Sequence, residues 1–140
     1  MRRTPSAAIV AAAALALAGC GGADAPSDEA AIKTVVHDYF IAFADGDGTK
    51  ACDQLGADTR TKIEQGARGK DCATALEDAA KRPQIKPYLT GFRKVEILKV
   101  TVAGRDASAK VKAIGAITTM PLRKEIDGWK IEGTKGAPGS

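Results

Sequence analysis

The sequence predicts an α+β fold, with N-terminal helices packed on a curved antiparallel sheet of about four strands. Three observations carry that expectation. Apolar residues from Ile32 to Phe43 recur at three- and four-residue intervals, whereas from Phe92 onward the apolar period falls to two. Gly104-Arg105-Asp106 and Asp127-Gly128 then cut the second half into short runs. A helix presents one stripe every 3.6 residues and a strand presents one face every second residue, so the change of period marks a change of element.

Ahead of the folded part, Arg2 and Arg3 precede twelve uncharged residues from Ala7 to Ala18, which end in the small pair Ala18-Gly19. A basic start, an apolar run and small residues at its end form a secretory signal, residues 1–19. Crossing a bilayer takes about 20 apolar residues, and this run, bounded by Pro5 and Gly19, is shorter. The quartet Leu17-Ala18-Gly19-Cys20 is similar to the lipobox of bacterial lipoproteins. That resemblance implies diacylglycerol with palmitate-type chains on the Cys20 sulfur, cleavage just before it, and a cell-membrane location on the extracytoplasmic side. Read without the resemblance, Cys20 is also an ordinary cysteine behind a signal, or one left for intermolecular pairing. Two acyl chains hold a protein durably on a bilayer where one does so only marginally.

Without residues 1–19 the chain keeps 121 residues, with 19 Lys+Arg against 17 acids. Its bases are interspersed with acids, which argues against a nucleic-acid partner and leaves a weak attraction to anionic lipid headgroups. The length after the tether suits one domain, residues 28–133. One histidine and three cysteines do not supply the ligand count or spacing of a zinc site, so neither a metal nor a cofactor is expected.

Residues 20–27, with Gly21, Gly22 and Pro26, form a flexible tether. Ser27 is placed to cap a helix whose first turn holds Asp28 and Glu29, where the helix dipole favours negative charge. Ile32, Val35, Val36, Tyr39, Phe40 and Phe43 form its apolar stripe, and Gly46 ends it. Asp45-Gly46-Asp47-Gly48 opens like a calcium loop, but Thr49, Lys50 and Gly56 fall where later ligands belong, so a turn with Asp47 as the next cap is expected. Short helices follow around Lys50 to Leu55, from Thr59 to Gln65 behind Asp58 and from Cys72 to Lys81 behind Asp71, the last closed by Pro83. Ile85, Tyr88 and Leu89 fall in a connector that the pattern does not assign.

In the strand region Val95 and Ile97 alternate in one phase and Leu98, Val100 and Val102 in the other, which predicts a bulge or a strong bend near residue 98. Ala107, Ala109, Val111 and Ala113 alternate against Lys110 and Lys112. Met120-Pro121 reads as a strand start or edge, with the third strand from Leu122 to Ile126. Asp127-Gly128 suits a type I′ hairpin, and Trp129 and Ile131 point inward on the fourth strand. Residues 134–140 read as a frayed Gly/Pro tail.

Cys52 and Cys72 are an even pair in a compartment where disulfides persist, and they are expected to bridge the starts of two helices. Two free buried thiols are the other reading. A redox role would need a closer pair such as CxxC.

Helices followed by an antiparallel meander, with Tyr39-Phe40 and Phe43 running into Gly46-Asp47 and a closing Asp127-Gly128-Trp129-Lys130-Ile131, resemble the nuclear-transport-factor-2-like superfamily over roughly residues 28–132. The resemblance implies a sheet curved round the long helix as a cone whose mouth can hold an apolar ligand. Many members insert a strand or hairpin among the helices, where residues 56–90 here read as helix, turn and connector. Tyr39, Phe43, Trp129 and His37 are the candidate pocket residues, and His37 falls at the border of the apolar stripe. No Ser-His-Asp spacing, G-x-S-x-G elbow, P-loop or H-E-x-x-H occurs, so no catalytic residue is assigned. The expected role is a membrane-anchored binding or accessory module for a small apolar ligand or an envelope protein. The alternative is a small isomerase- or hydrolase-like pocket enzyme using His37.

Overall fold

The structure, a computed structural model, describes residues 26–133. The expected signal, the Cys20 attachment point and the 134–140 tail lie outside the described residues. Helices come first: α1 (Asp28–Asp45), α2 (Gly48–Asp53), α3 (Ala57–Gly66), α4 (Cys72–Lys81), a single 3-10 turn (Lys86–Tyr88) and α5 (Leu89–Phe92). Four strands follow, β1 (Glu96–Ala103), β2 (Asp106–Ala113), β3 (Ala116–Glu125) and β4 (Gly128–Ile131), paired in chain order as one antiparallel sheet. The α+β expectation is met. None of the described helices is long and apolar enough to cross a membrane.

Three of the helices, α1, α2 and α4, start where a side chain satisfies an orphan amide, whereas α3 starts behind Gly56, which offers no side chain, and so places Asp58 within its first turn rather than ahead of it. Ser27 Oγ accepts from the Ala30 N–H, Asp47 from Lys50 and Asp71 from Thr74. Gly46, at φ 72°, closes α1 by turning left-handed, which glycine does without a Cβ penalty. No basic residue of α1 lies in its last turn. Arg93 supplies the charge instead: it pairs with Asp45 and donates to the Ala44 carbonyl at 3.2 Å, at the negative end of the helix dipole.

The core lies between α1 and the inner face of the sheet. Ile32, Val36, Val111 and Leu122 are its largest fully buried side chains, joined by Leu76 of α4 and by Trp129 and Ile131 of β4. Across β2 and β3 the inward pairs are Ala107↔Leu122 and Ala109↔Met120. The bulge sits where the phase change places it. Ile97 pairs with Val111 and Lys99 with Lys110, leaving Leu98 as the extra residue of β1. Val95, Ile97 and Val100 thereby all pack on the core.

β3 begins earlier than expected, at Ala116 rather than Leu122, and carries Pro121 in its interior. The proline is tolerated because its backbone faces the β4 side just where that strand ends. Its carbonyl accepts from the Glu132 N–H at 2.9 Å, and no ladder amide is needed there. The β3–β4 hairpin also differs. Glu125 pairs with Gly128, so its loop is Ile126-Asp127, and the positive φ of 125° falls on Gly128, just after the loop. Register decides this: Trp129 faces Lys124 across the ladder, which leaves Ile126 fully in solvent at the tip.

The two-residue loop with both central residues at positive φ is Ile114-Gly115, at 49° and 81°. A β-branched residue is strained there, since the left-handed region costs an L-residue about 1–2 kcal/mol. Ile114 is held against Gly91, where an added Cβ would meet its Cγ2 at 2.6 Å. Ile114→Asn restores the Asn-Gly pair that this turn favours, and is expected to raise stability by about 1 kcal/mol. Urea denaturation checks it. A lowered midpoint would mean that the contact with Gly91 outweighs the strain.

On the outer edge of β4, Leu55 makes a parallel bridge to Ile131. Gly56 N–H donates to the Ile131 carbonyl and Ile131 N–H to that of Gln54. The segment after α2 thus covers that edge, a common protection against strand addition.

Candidate functional site

α1 and the last two strands position the residues singled out by the sequence, and they form two separate groups. At the C-terminal end of α1 is an aromatic cluster. Tyr39 and Phe43 stack at 6.4 Å between ring centroids, Tyr39 meets Phe40 edge-on at 5.5 Å, and Phe92 of α5 lies 5.7 Å from Phe40 and 5.8 Å from Phe43. All three phenylalanines of the chain are in this cluster. Spacings of three and four residues place Tyr39, Phe40 and Phe43 on adjoining faces of the helix, and the rings pack against the core. Burial raises the Tyr39 phenol above its ordinary pKa of 10.0.

The second group ties the N-terminus of α1 to the sheet. Trp129 is buried on the inner face of β4, and its indole N–H donates to Asp28 Oδ1 at 2.9 Å. Lys124, opposite Trp129 in the ladder, reaches the same carboxylate oxygen at 2.7 Å and lies 5.7 Å above the indole ring centre. The lysine hydrogen bond and then the tryptophan hydrogen bond hold the Asp28 carboxyl below its usual 3.8. A depressed folded-state pKa means that Asp28 stabilises the fold above the unfolded value, and that this contribution fades as pH falls through the folded one. The wild type is therefore expected to be more stable than Asp28→Asn at pH 6, with the gap closing below about pH 4. Melting curves of the two from pH 6 to pH 2 test this; a gap that stays constant would rule out the carboxylate as its source.

The structure brings Tyr39 and Phe43 together but sets them apart from Trp129. Eleven residues of helix separate Asp28, the partner of Trp129, from Tyr39, a rise of about 16 Å. His37 joins neither group. It is exposed, its imidazole 55% accessible, with Nδ1 3.6 Å from Asp38 Oδ1, on the solvent side of α1. The open depressions on the surface include one of about 450 Å³ lined by Asp106, Ala107, Pro121, Leu122, Arg123, Glu132 and Gly133, which contains none of these four residues.

Other acids with depressed pKa values owe them to structural duties. The Lys50 amide lowers Asp47 and the Thr74 amide lowers Asp71, each as a helix cap, while Lys70 lowers Asp78 and Lys130 lowers Asp127. Among the described residues, no three His, Cys, Asp or Glu side chains gather as a metal site would require. Asp47 caps α2 by accepting from the Lys50 amide and pairs with the Lys50 side chain, in line with the expected turn and cap.

Cys52 and Cys72 form a disulfide, with Cα atoms 6.1 Å apart. Cys72 opens α4 as expected, but Cys52 sits near the end of α2 rather than at its start, because that helix begins two residues early, behind the Asp47 cap. Close approach of the two helices is built in at Gly48. A Cβ there would meet the Ala73 carbonyl oxygen at 2.0 Å, so only glycine lets α2 lie against α4.

The pattern missed Phe92, which reads as the first strand residue and is instead the last residue of α5 and the lid of the aromatic cluster. It also missed Lys124, whose inward alternation with Leu122 was its one visible signal. No protein-family model, curated protein or solved structure matches the chain.

Proposed function

We propose that the chain is a lipid-anchored, extracytoplasmic accessory domain of cone-like α+β architecture, which works by surface contact with an envelope partner rather than through an internal pocket. Residues 1–20 support the anchoring: a basic start, a short apolar run and a lipobox-like quartet ending at Cys20. The disulfide supports an oxidising compartment. Helices followed by a four-stranded meander support the cone-like reading.

The observation that carries surface action is the filled inner face of the sheet. Trp129, the largest side chain that could line a cone, is 3% exposed and packed with Ile32, Val36, Leu122 and Val111. Large apolar side chains do reach solvent away from the sheet's lysines: Tyr88 and Ile114 are both about half exposed. A packed interior leaves the outer surface as the place where such apolar groups can meet a partner.

Native mass spectrometry of the protein purified from its own membrane tests the proposal. The expected mass is that of a chain starting at an acylated Cys20, with any bound companion a protein. An unmodified Cys20 preceded by residues 1–19 would overturn the anchor, and a retained small apolar molecule would overturn surface action.

A further inference from the structure

We infer that the outer face of the sheet is the side the domain turns towards the bilayer, seating Lys99, Lys110 and Lys112 on anionic phospholipid headgroups with Leu98 and Ile117 between them. The inference rests on the anchoring reading only for what brings the domain to a membrane.

The ladder register puts these side chains on one face. Lys99 pairs with Lys110, Glu96 with Lys112, and Lys112 in turn with Ile117, while the opposite face packs on α1. All three lysines are exposed, and among the described residues none lies within ion-pair distance of a carboxylate; Lys62, Lys81, Lys86 and Lys94 are unpaired as well, and what sets the three apart is that the ladder gathers them on one face of the sheet. Glu96 is the one acid beside the group. Lys99 and Lys110 are directly opposed, an arrangement that destabilises a sheet unless an outside negative charge neutralises it.

The bulge at Leu98 adds the apolar part. By inserting one residue it keeps Ile97 and Val100 inside and leaves Leu98 exposed next to Lys99. Leu98 is 47% and Ile117 57% accessible, so the face alternates basic and apolar groups. That alternation matches an interface of phosphate headgroups over acyl chains, where each lysine near an anionic surface raises partitioning about fivefold. A flat protein partner would need acids placed opposite the lysines; a lipid surface supplies mobile ones. The reach is sufficient as well. Seven residues separate Cys20 from α1 and span at most about 25 Å, more than the roughly 10 Å of one packed layer.

Lysine footprinting of the full chain by acetylation tests this on vesicles of pure phosphatidylcholine, on vesicles with one third phosphatidylglycerol, and in native membranes. On the anionic vesicles Lys99, Lys110 and Lys112 are expected to react at least about threefold more slowly than Lys33, Lys62 and Lys81 of the helical layer. The protection is expected to disappear at high salt and on phosphatidylcholine, and to weaken in Lys110→Glu. Equal reactivity of both sets on anionic vesicles would overturn the inference. So would protection seen only in native membranes, which would give the face to a protein. Flotation with phosphatidylcholine reads the anchor separately, because failure to float there leaves the footprint on anionic vesicles interpretable.

Discussion

Trp129→Ala is expected to lower stability by about 3–5 kcal/mol, the usual cost of emptying a buried site of that size. The ring is 3% exposed and closes the core between β4 and α1. Its removal also takes the indole donor from Asp28, leaving Lys124 as the one side chain among the described residues that still donates to that carboxylate. Trp129→Phe helps to separate the two effects, because it keeps a large ring while removing the N–H together with part of the indole volume, and should cost about 1–3 kcal/mol. Far-UV circular dichroism during urea unfolding measures both, since the chain has a single tryptophan and the alanine variant lacks its fluorescence. If both substitutions cost about the same, the hydrogen bond rather than the ring volume holds this corner. Against a typical total of about 5–15 kcal/mol, the alanine variant is expected to be partly unfolded at 37 °C.

Breaking the bridge comes second. Cys52→Ala combined with Cys72→Ala should cost about 3 kcal/mol, because the disulfide closes a loop of 20 residues and so restricts the unfolded chain. In a domain of about a hundred residues that is a fall of roughly 10–20 °C in Tm. Alanine suits the test because both sites are buried, where a serine hydroxyl would need a partner. Reducing the wild type should give the same fall and leave the double variant unaffected. Should reductant not shift the wild-type Tm, the helix pairing set by Gly48 and Ala73 would be holding α2 to α4 unaided.

Local rules found what local chemistry determines. The Ser27, Asp47 and Asp71 caps, the Gly46 stop and the Cys72–Lys81 helix stand where expected, since each depends on side chains within three or four residues. The bulge at Leu98 was visible because a slip of one residue inverts the apolar phase of a whole strand. β3 was harder: Ala116, Thr118 and Thr119 are weakly apolar, and Pro121 argues against a central strand until the end of β4 is known. The site was less legible than the fold. Tyr39, Phe43, Trp129 and His37 can all be named from the chain, but whether they converge depends on distances along and around α1 that a list of residues does not contain.

By itself the sequence determined the order of helices before strands, the inward stripe of α1 and the inward faces of the strands, the caps of α1, α2 and α4, and the expectation that Cys52 pairs with Cys72, because hydrophobic period and capping chemistry act over short stretches. Only the tertiary structure decided that Phe92 closes the aromatic cluster, that Lys124 and Trp129 share Asp28, that His37 faces solvent, and that Lys99 confronts Lys110. Each of these joins residues brought together by strand register or helix packing, and register is a property of two strands at once, set by which pairing buries the most apolar surface.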